Sequence, residues 1–182
     1  MKIRLNGDDV KKLMGAVSKD KTREILHCIH IERDGDFLEF AATTGSVLVV
    51  LKRNIKKYDD EVPDNFKINI DISNYKLNNK YIYDLIDEGE RCVLVGPDTE
   101  IIVKLSAGVF PNYHLVTDGY EKLPEATQYA SFNYKYMKVL YDVFGDSVYK
   151  VPRAKDGFAP HFWVQQGYEE EWLGVLMPLK SK

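Results

Sequence analysis

Apolar positions along the chain switch between a helical and a two-residue period three times. In "DDVKKLMGAVSKDKTR", Val10, Leu13, Met14 and Val17 fall at i, i+3, i+4 and i+7, which predicts a helix with one apolar stripe. Asp8 or Asp9 is its expected N-cap. The strand "KIRLNG" precedes it, and "EILHCIHIERDGDFLEFAATTGSVLVVLKRN" follows as a hairpin and a further strand. "RDGD" supplies the tight turn, because Asp-Gly tolerates the positive φ of two-residue hairpins. A second segment opens with "FKINIDI", where Phe66, Ile68, Ile70 and Ile72 alternate. A short helix is predicted around "NKYIYDLIDEG", starting near Asn78 or Asn79 and stopping near Gly89. "RCVLVG" and "EIIVKLSAGVF" then read as strands about the turn "PDTE". In the third segment Tyr134, Met137, Leu140, Tyr141 and Phe144 trace a helical stripe, and "SVYKVPR", "HFWVQQG" and "EWLGVLMPL" read as strands.

Each segment thus has the order strand, helix, strands, with helical starts near positions 8, 79 and 133, a period that hints at an internal repeat. The polar stretch "HLVTDGYEKLPEATQ" is the best boundary. It divides the chain into residues 1–119, holding two halves, and 120–182, holding one. "NIKKYDDEVPDN" reads as a charged connector within the first segment.

Composition narrows the class. Hydrophobic residues at 45% and charged ones at 29% suit a globular core, and twelve tyrosines with eight phenylalanines favour strands. A net charge of -3 gives no bulk attraction to nucleic acid, so any such site must be a local basic face. Cys28 and Cys92 form no disulfide framework, and reduced thiols are expected. The start "MKIRLNGDDV" lacks a signal-peptide core, and no apolar run of about 18 residues occurs. A cytoplasmic protein without a membrane partner is expected.

Catalytic chemistry finds no footing. Read on one strand, His27 and His30 are three apart and point to opposite faces, so they do not converge on a metal. His114 and His161 have no carboxylate or cysteine at ligand spacing beside them. "DGD" at 34–36 lacks the closing Glu of a calcium loop. GxSxG, Walker and GxGxxG motifs are missing. Cys28 sits in an apolar strand pattern, and "YEEEW" at 168–172 reads as a solvated turn. The expectation is a non-enzymatic binding module with no catalytic residue, metal or cofactor.

Four stretches are more specific. "LEFAATTGSVLVV" with "SAGVFPNYHLV", then "FNYKYMKVLYDVFG", then "VLMPLK" resemble, in order, segments of bacterial DNA polymerase III beta sliding clamps. The first two resemble the "ATDG" turn and "FPdY..v" segment of that family's middle domain. The others resemble its last half-domain, which ends on "MPM". Thr44 stands where the family has Asp. The resemblance implies an α+β DNA-clamp fold of about three half-domains, with helices on one face and antiparallel sheets on the other. It fits a truncated, phage-like or prophage-like version.

The resemblance also implies two sites. Helices of clamps face duplex DNA nonspecifically, which nominates Lys11, Lys12, Lys19, Lys21, Arg23, Lys76, Lys80, Lys135 and Lys138; solvated helix faces carry lysines too. Clamp partners, polymerases and repair factors, insert a peptide with Leu and Phe anchors into an apolar groove. Matched positions are Thr43, Gly45, Val47, Leu48, Pro111, Leu115, Val116, Val175, Met177, Pro178 and Leu179. Ser46, Val47 and Leu115 replace basic or imidazole side chains, so this groove is expected to be greasier. Three halves per chain would need four chains to match a twelve-half ring. The alternative is a non-encircling monomer or dimer that binds or competes for clamp partners without a DNA role.

Overall fold

The computed structural model describes residues 1–20, 22–58, 60–89, 91–128, 130–149, 151–167 and 170–179. The strands are β1 (Lys2–Asn6), β2 (Ile29–Asp34), β3 (Phe37–Thr43), β4 (Val47–Asn54), β5 (Lys67–Asp71), β6 (Ile82–Asp87), β7 (Cys92–Gly96), β8 (Thr99–Leu105), β9 (His161–Gln166) and β10 (Glu170–Leu176). The α-helices are α1 (Gly7–Gly15), α2 (His114–Thr117) and α3 (Tyr134–Phe144). The ten strands run in the order β1-β6-β7-β8-β5-β2-β3-β4-β10-β9, and every pairing is antiparallel. β1 leaves its own segment to pair with β6, while β5 returns to pair with β2. The third segment joins through β10, which runs along β4 from Glu170↔Arg53 to Leu176↔Val47.

The Asp-Gly turn forms as expected: Asp34 pairs with Phe37, and Gly35 takes φ +58°. In α1, Val10 and Leu13 are buried as the stripe predicts. Its N-cap is Asn6, whose side chain accepts from the Asp8 N–H, and not Asp8 or Asp9, which fill the first turn. α3 is capped by Asn133 in the same way. Its buried side centres on Leu140, Val143 and Phe144, so the predicted stripe is rotated. Tyr134 is 75% exposed and Tyr141 44%.

Three predicted elements are corrected. Glu24–His27 is a 3-10 helix and not strand, so β2 begins at Ile29 and His27 does not share it with His30. The second helix does not form: "IYDLID" is β6, paired with β1 on one side and β7 on the other. Tyr83 and Leu85 are buried while Ile82 is exposed, a period of two that suits β-branched and aromatic residues. The preceding residues form an irregular loop against the start of α1. There the Gly7 N–H donates to Tyr81 O at 2.9 Å, and a Cβ on Gly7 would lie 2.2 Å from Asn78 O. The described residues of "SVYKVPR" likewise form no strand, and its Lys150 lies outside the described residues. A 3-10 helix covers Gly145–Tyr149, and Val148 O accepts the Trp163 indole N–H at 2.8 Å. Only Arg153 then bridges to Phe162 among the described residues.

The principal core lies between the sheets and the layer of α1 and α3, and includes Ile3, Leu13, Phe40, Leu51, Leu140 and Leu176. A second core lies on the other face of β3, β4, β10 and β9, under the segment from Phe110 to Leu123. Both cysteines are buried, and burial pushes each thiol up to about 11, in keeping with an inert role. Beyond β10, the Met177 N–H donates to Ser46 O at 3.0 Å and the Leu179 N–H to Ser131 O at 2.7 Å, which ties the tail down.

Candidate functional site

Cross-strand partners share a face, so register alone assembles the outer surface in rows. One row is Thr43, Leu48, Val175 and Phe162 across β3, β4, β10 and β9. The next is Asn69, His30, Ala41, Val50, Leu173 and Val164 across β5, β2, β3, β4, β10 and β9. Beyond it, Lys67, Glu32, Glu39, Lys52, Glu171 and Gln166 form a charged row across the same six strands.

The segment from Phe110 to Leu123 straps these rows. Phe110 stacks on His30 with ring centroids 4.8 Å apart and planes 8° from parallel. Tyr113 Oη lies 2.7 Å from Glu32 Oε1 and 2.8 Å from Glu39 Oε2, and Tyr120 Oη donates to Glu171 Oε1 at 2.7 Å. His114 Nε2 lies 2.7 Å from Glu32 Oε1, 82 positions away, and its Nδ1 lies 3.7 Å from Asp118 Oδ1, four residues on, which corrects the reading that no carboxylate stands beside it in sequence. Lys67 meets Glu32 at 2.6 Å and Lys52 meets Glu39 at 2.8 Å. Burial favours a neutral Glu32, yet hydrogen bonds from Lys67, Tyr113 and His114 outweigh it and hold the carboxyl down at about 2. Burial, then the neighbouring Glu39 and Glu32, push the Tyr113 phenol far above its usual range.

Ligand atoms of Glu32, Glu39 and His114 lie within 4.8 Å of one another, close enough for a cation. The same carboxylates already hold the Lys67 and Lys52 ammoniums and the Tyr113 hydroxyl. The arrangement is a charge-balanced anchor for the strap. Beside it a cleft of about 210 Å³ opens between Tyr113, Thr117 and Tyr120 on the strap and Val50, Lys52 and Leu173 on the sheet.

The nominated groove residues divide between floor, rim and core. Thr43, Leu48 and Val175 share one outer row, 8%, 8% and 3% exposed. Thr43 Oγ1 donates to Val47 O at 2.7 Å and accepts from the Gly45 N–H, where φ is +90°. Thr44 Oγ1 accepts from the Ser46 and Val47 N–H groups at 3.3 Å, so its hydroxyl closes the turn. Pro111, Leu115 and Val116 lie exposed on the strap, Leu115 at 83%. Met177 and Leu179 are exposed past β10 with Pro178 half-buried between them. Val47 is a correction: it pairs with Leu176 and packs in the principal core, on the face opposite Leu48.

The nominated cations are dispersed. Lys11 is exposed on α1, while Lys12 pairs with Asp8 at 3.1 Å and lies over the Trp172 ring. Lys135 is exposed on α3, and Lys138 pairs with Asp142 at 2.7 Å. The two helices are neighbours, since a Cβ on Gly15 would sit 3.8 Å from Val139 Cγ1. Lys19 is exposed after α1, and Arg23 pairs with Asp20 and reaches the Gly45 turn. Lys76 and Lys80 are exposed on the loop that replaces the second helix. Lys21 lies outside the described residues, as do Tyr168 and Glu169 of the acidic run. Glu170 and Glu171 of that run are not a turn but the start of β10.

The fold these residues build is that of the DNA polymerase sliding clamps. The chain superposes over 100% of its length on the DNA polymerase sliding clamp of Pseudomonas aeruginosa, with TM-score 0.67, 14% identity and 66% of that chain covered. The beta subunit of DNA polymerase III from Thermotoga maritima gives TM-score 0.67, 12% identity and the same coverages. A. fulgidus PCNA, solved with the C-terminal region of FEN-1 bound, gives TM-score 0.61 and 12% identity, covering 100% of this chain and 99% of that one. No family model and no curated protein matches the sequence. The chain therefore has the clamp fold and spans about two thirds of the length of the bacterial clamps.

Proposed function

We propose that the protein is a non-enzymatic, sliding-clamp-like replication factor that meets duplex DNA through its helix layer and partner peptides through the outer face. The observation that carries this reading is the superposition of the whole chain on clamps at TM-score 0.67. In this reading residues 1–119 form one clamp domain and 120–182 a half-domain seated on it, and several chains assemble into a ring. Leu115, Val116, Met177 and Leu179 form the rim of the peptide site, with Leu48 and Val175 as its floor. Burying one Leu or Phe anchor there is worth roughly 1.5 to 3 kcal/mol. Ordering the peptide offsets part of this, so micromolar affinity is expected.

A second reading has its own support. Lys12 and Lys138 are ion-paired within the chain, and among the described residues the middle segment adds no helix to the layer of α1 and α3. That thin basic face favours a non-encircling protein that binds or competes for clamp partners. Solution mass, with retention on closed circular against linear duplex, separates the two. A ring stays on the circle and leaves free ends. A monomer retained on neither sinks the ring reading and leaves the competitor.

A further inference from the structure

α3 departs from its predicted stripe in a way that has a chemical meaning. Tyr134, Lys138 and Tyr141 fall at i, i+4 and i+7, so they form one ridge on the helix surface. Tyr134 is 75% exposed, Tyr141 44%, and Lys138 and Lys135 are exposed beside them. Across α3 this ridge stands opposite Leu140, Val143 and Phe144, which fill the core. At 1.5 Å per residue the two tyrosines stand about 10 Å apart along the axis, with an ammonium between them. A face selected only for solvation is served by Glu, Lys and Gln, which form helices better than Tyr.

We infer that this ridge binds single-stranded DNA, with unstacked bases on Tyr134 and Tyr141 and a phosphate at Lys138. The inference rests on the reading that the helix layer meets DNA, and it names which form of DNA α3 takes. Charge complementarity sets the class of partner. Lys135 on α3 and Lys11 on neighbouring α1 are exposed cations, and the exposed Lys138–Asp142 pair is weak enough to yield to phosphate. Three such cations are few for duplex binding, which scales with the phosphates neutralised. Aromatic rings add affinity where base faces are accessible, as in a single strand and not inside a duplex stack.

The test uses the intact chain at low salt, with fluorescent (dT)20 and a 20-base-pair duplex as probes. Tyr134→Ala with Tyr141→Ala is expected to weaken (dT)20 binding at least about 10-fold and leave duplex affinity unchanged, whereas Tyr134→Phe with Tyr141→Phe keeps both. Because Tyr141 has neighbours of its own, Tyr134→Ala alone, with an unchanged melting temperature, gives a second reading and is expected to cost several-fold for (dT)20 only. Duplex binding by the wild type without (dT)20 binding overturns the inference and leaves the clamp reading standing. Equal (dT)20 affinity in the folded alanine variants also overturns it. Binding to neither probe removes both.

Discussion

Tyr113 and Glu32 meet at 2.7 Å although 81 positions separate them, and Glu39 lies 2.8 Å from the same hydroxyl. One phenolic proton therefore serves two buried carboxylates that face each other across the β2–β3 hairpin. Like charges directly opposed in a sheet are destabilising. The strap's hydroxyl, with Lys67 and Lys52 at the ends, turns that repulsion into an anchor. Tyr113→Phe keeps the ring and removes the shared donor, so stability should fall by about 1 to 3 kcal/mol. Urea unfolding of the two proteins at pH 7 measures the difference, and unchanged midpoints would mean that the anchor is held by the lysines alone.

Two carboxyl groups pull stability in opposite directions with pH. Glu32 titrates at about 2 when folded against an ordinary 4.5, so it stabilises above pH 4.5 by about 3 kcal/mol, and this is lost as pH falls toward 2. Asp9, raised to about 6 by burial and then by Glu170, does the reverse. Its penalty is present above pH 6 and fades as pH falls toward 3.8. From these two groups stability should peak near pH 4 to 5. Asp9→Asn should raise stability at pH 7 by about 1 to 3 kcal/mol and flatten the curve between pH 6 and 4. Urea midpoints at pH 7, 5 and 3 for both proteins decide it.

Gly174 is fixed by packing. A Cβ there would lie 2.6 Å from Phe144 Cε2 and 2.8 Å from Leu140 Cδ2, so α3 sits directly on the β10 backbone. Gly174→Val should lift the helix and cost about 1 to 3 kcal/mol or more. Thermal unfolding reads the loss, and a fully stable valine variant would show that α3 shifts freely.

For the peptide site, Met177→Asp with Leu179→Asp places two charges on an exposed apolar rim whose backbone is held by Ser46 and Ser131. The variant should fold and lose binding of a clamp-motif peptide by about 100-fold or more, as expected when apolar anchors meet charge. Calorimetry with that peptide checks it, and unchanged affinity in a folded variant removes the rim from the site.

Much of this architecture is legible in the sequence. Val10 and Leu13, the Asp-Gly turn, the alternation in β5 and the apolar run of β10 report local periods, and local periods are what the sequence displays. "NKYIYDLIDEG" misleads because its asparagines and glycine resemble helix signals while Tyr83 and Leu85 answer to strands on both sides. The rotation of α3 follows from Gly174, which draws Leu140 and Phe144 inward from another segment. The strap's anchor was half visible. A two-residue turn at Gly35–Asp36 puts Glu32 opposite Glu39, and such a pair demands donors. Nothing local names Tyr113, His114 or Lys67 as those donors, because register across distant strands brings them in.

The β4–β10 seam bears on how the chain is made. Val47 to Leu51 have a finished edge only once Glu170 to Leu176 lie beside them. After Asn54 the ribosome adds 116 residues to reach Glu170 (170 minus 54). At roughly 5 to 20 residues per second, that is about 6 to 23 seconds during which an apolar strand waits with its hydrogen bonds open. For that interval β4 is a template for any other strand nearby, so crowded synthesis should favour misassembly in which β10 of one molecule seats on β4 of another.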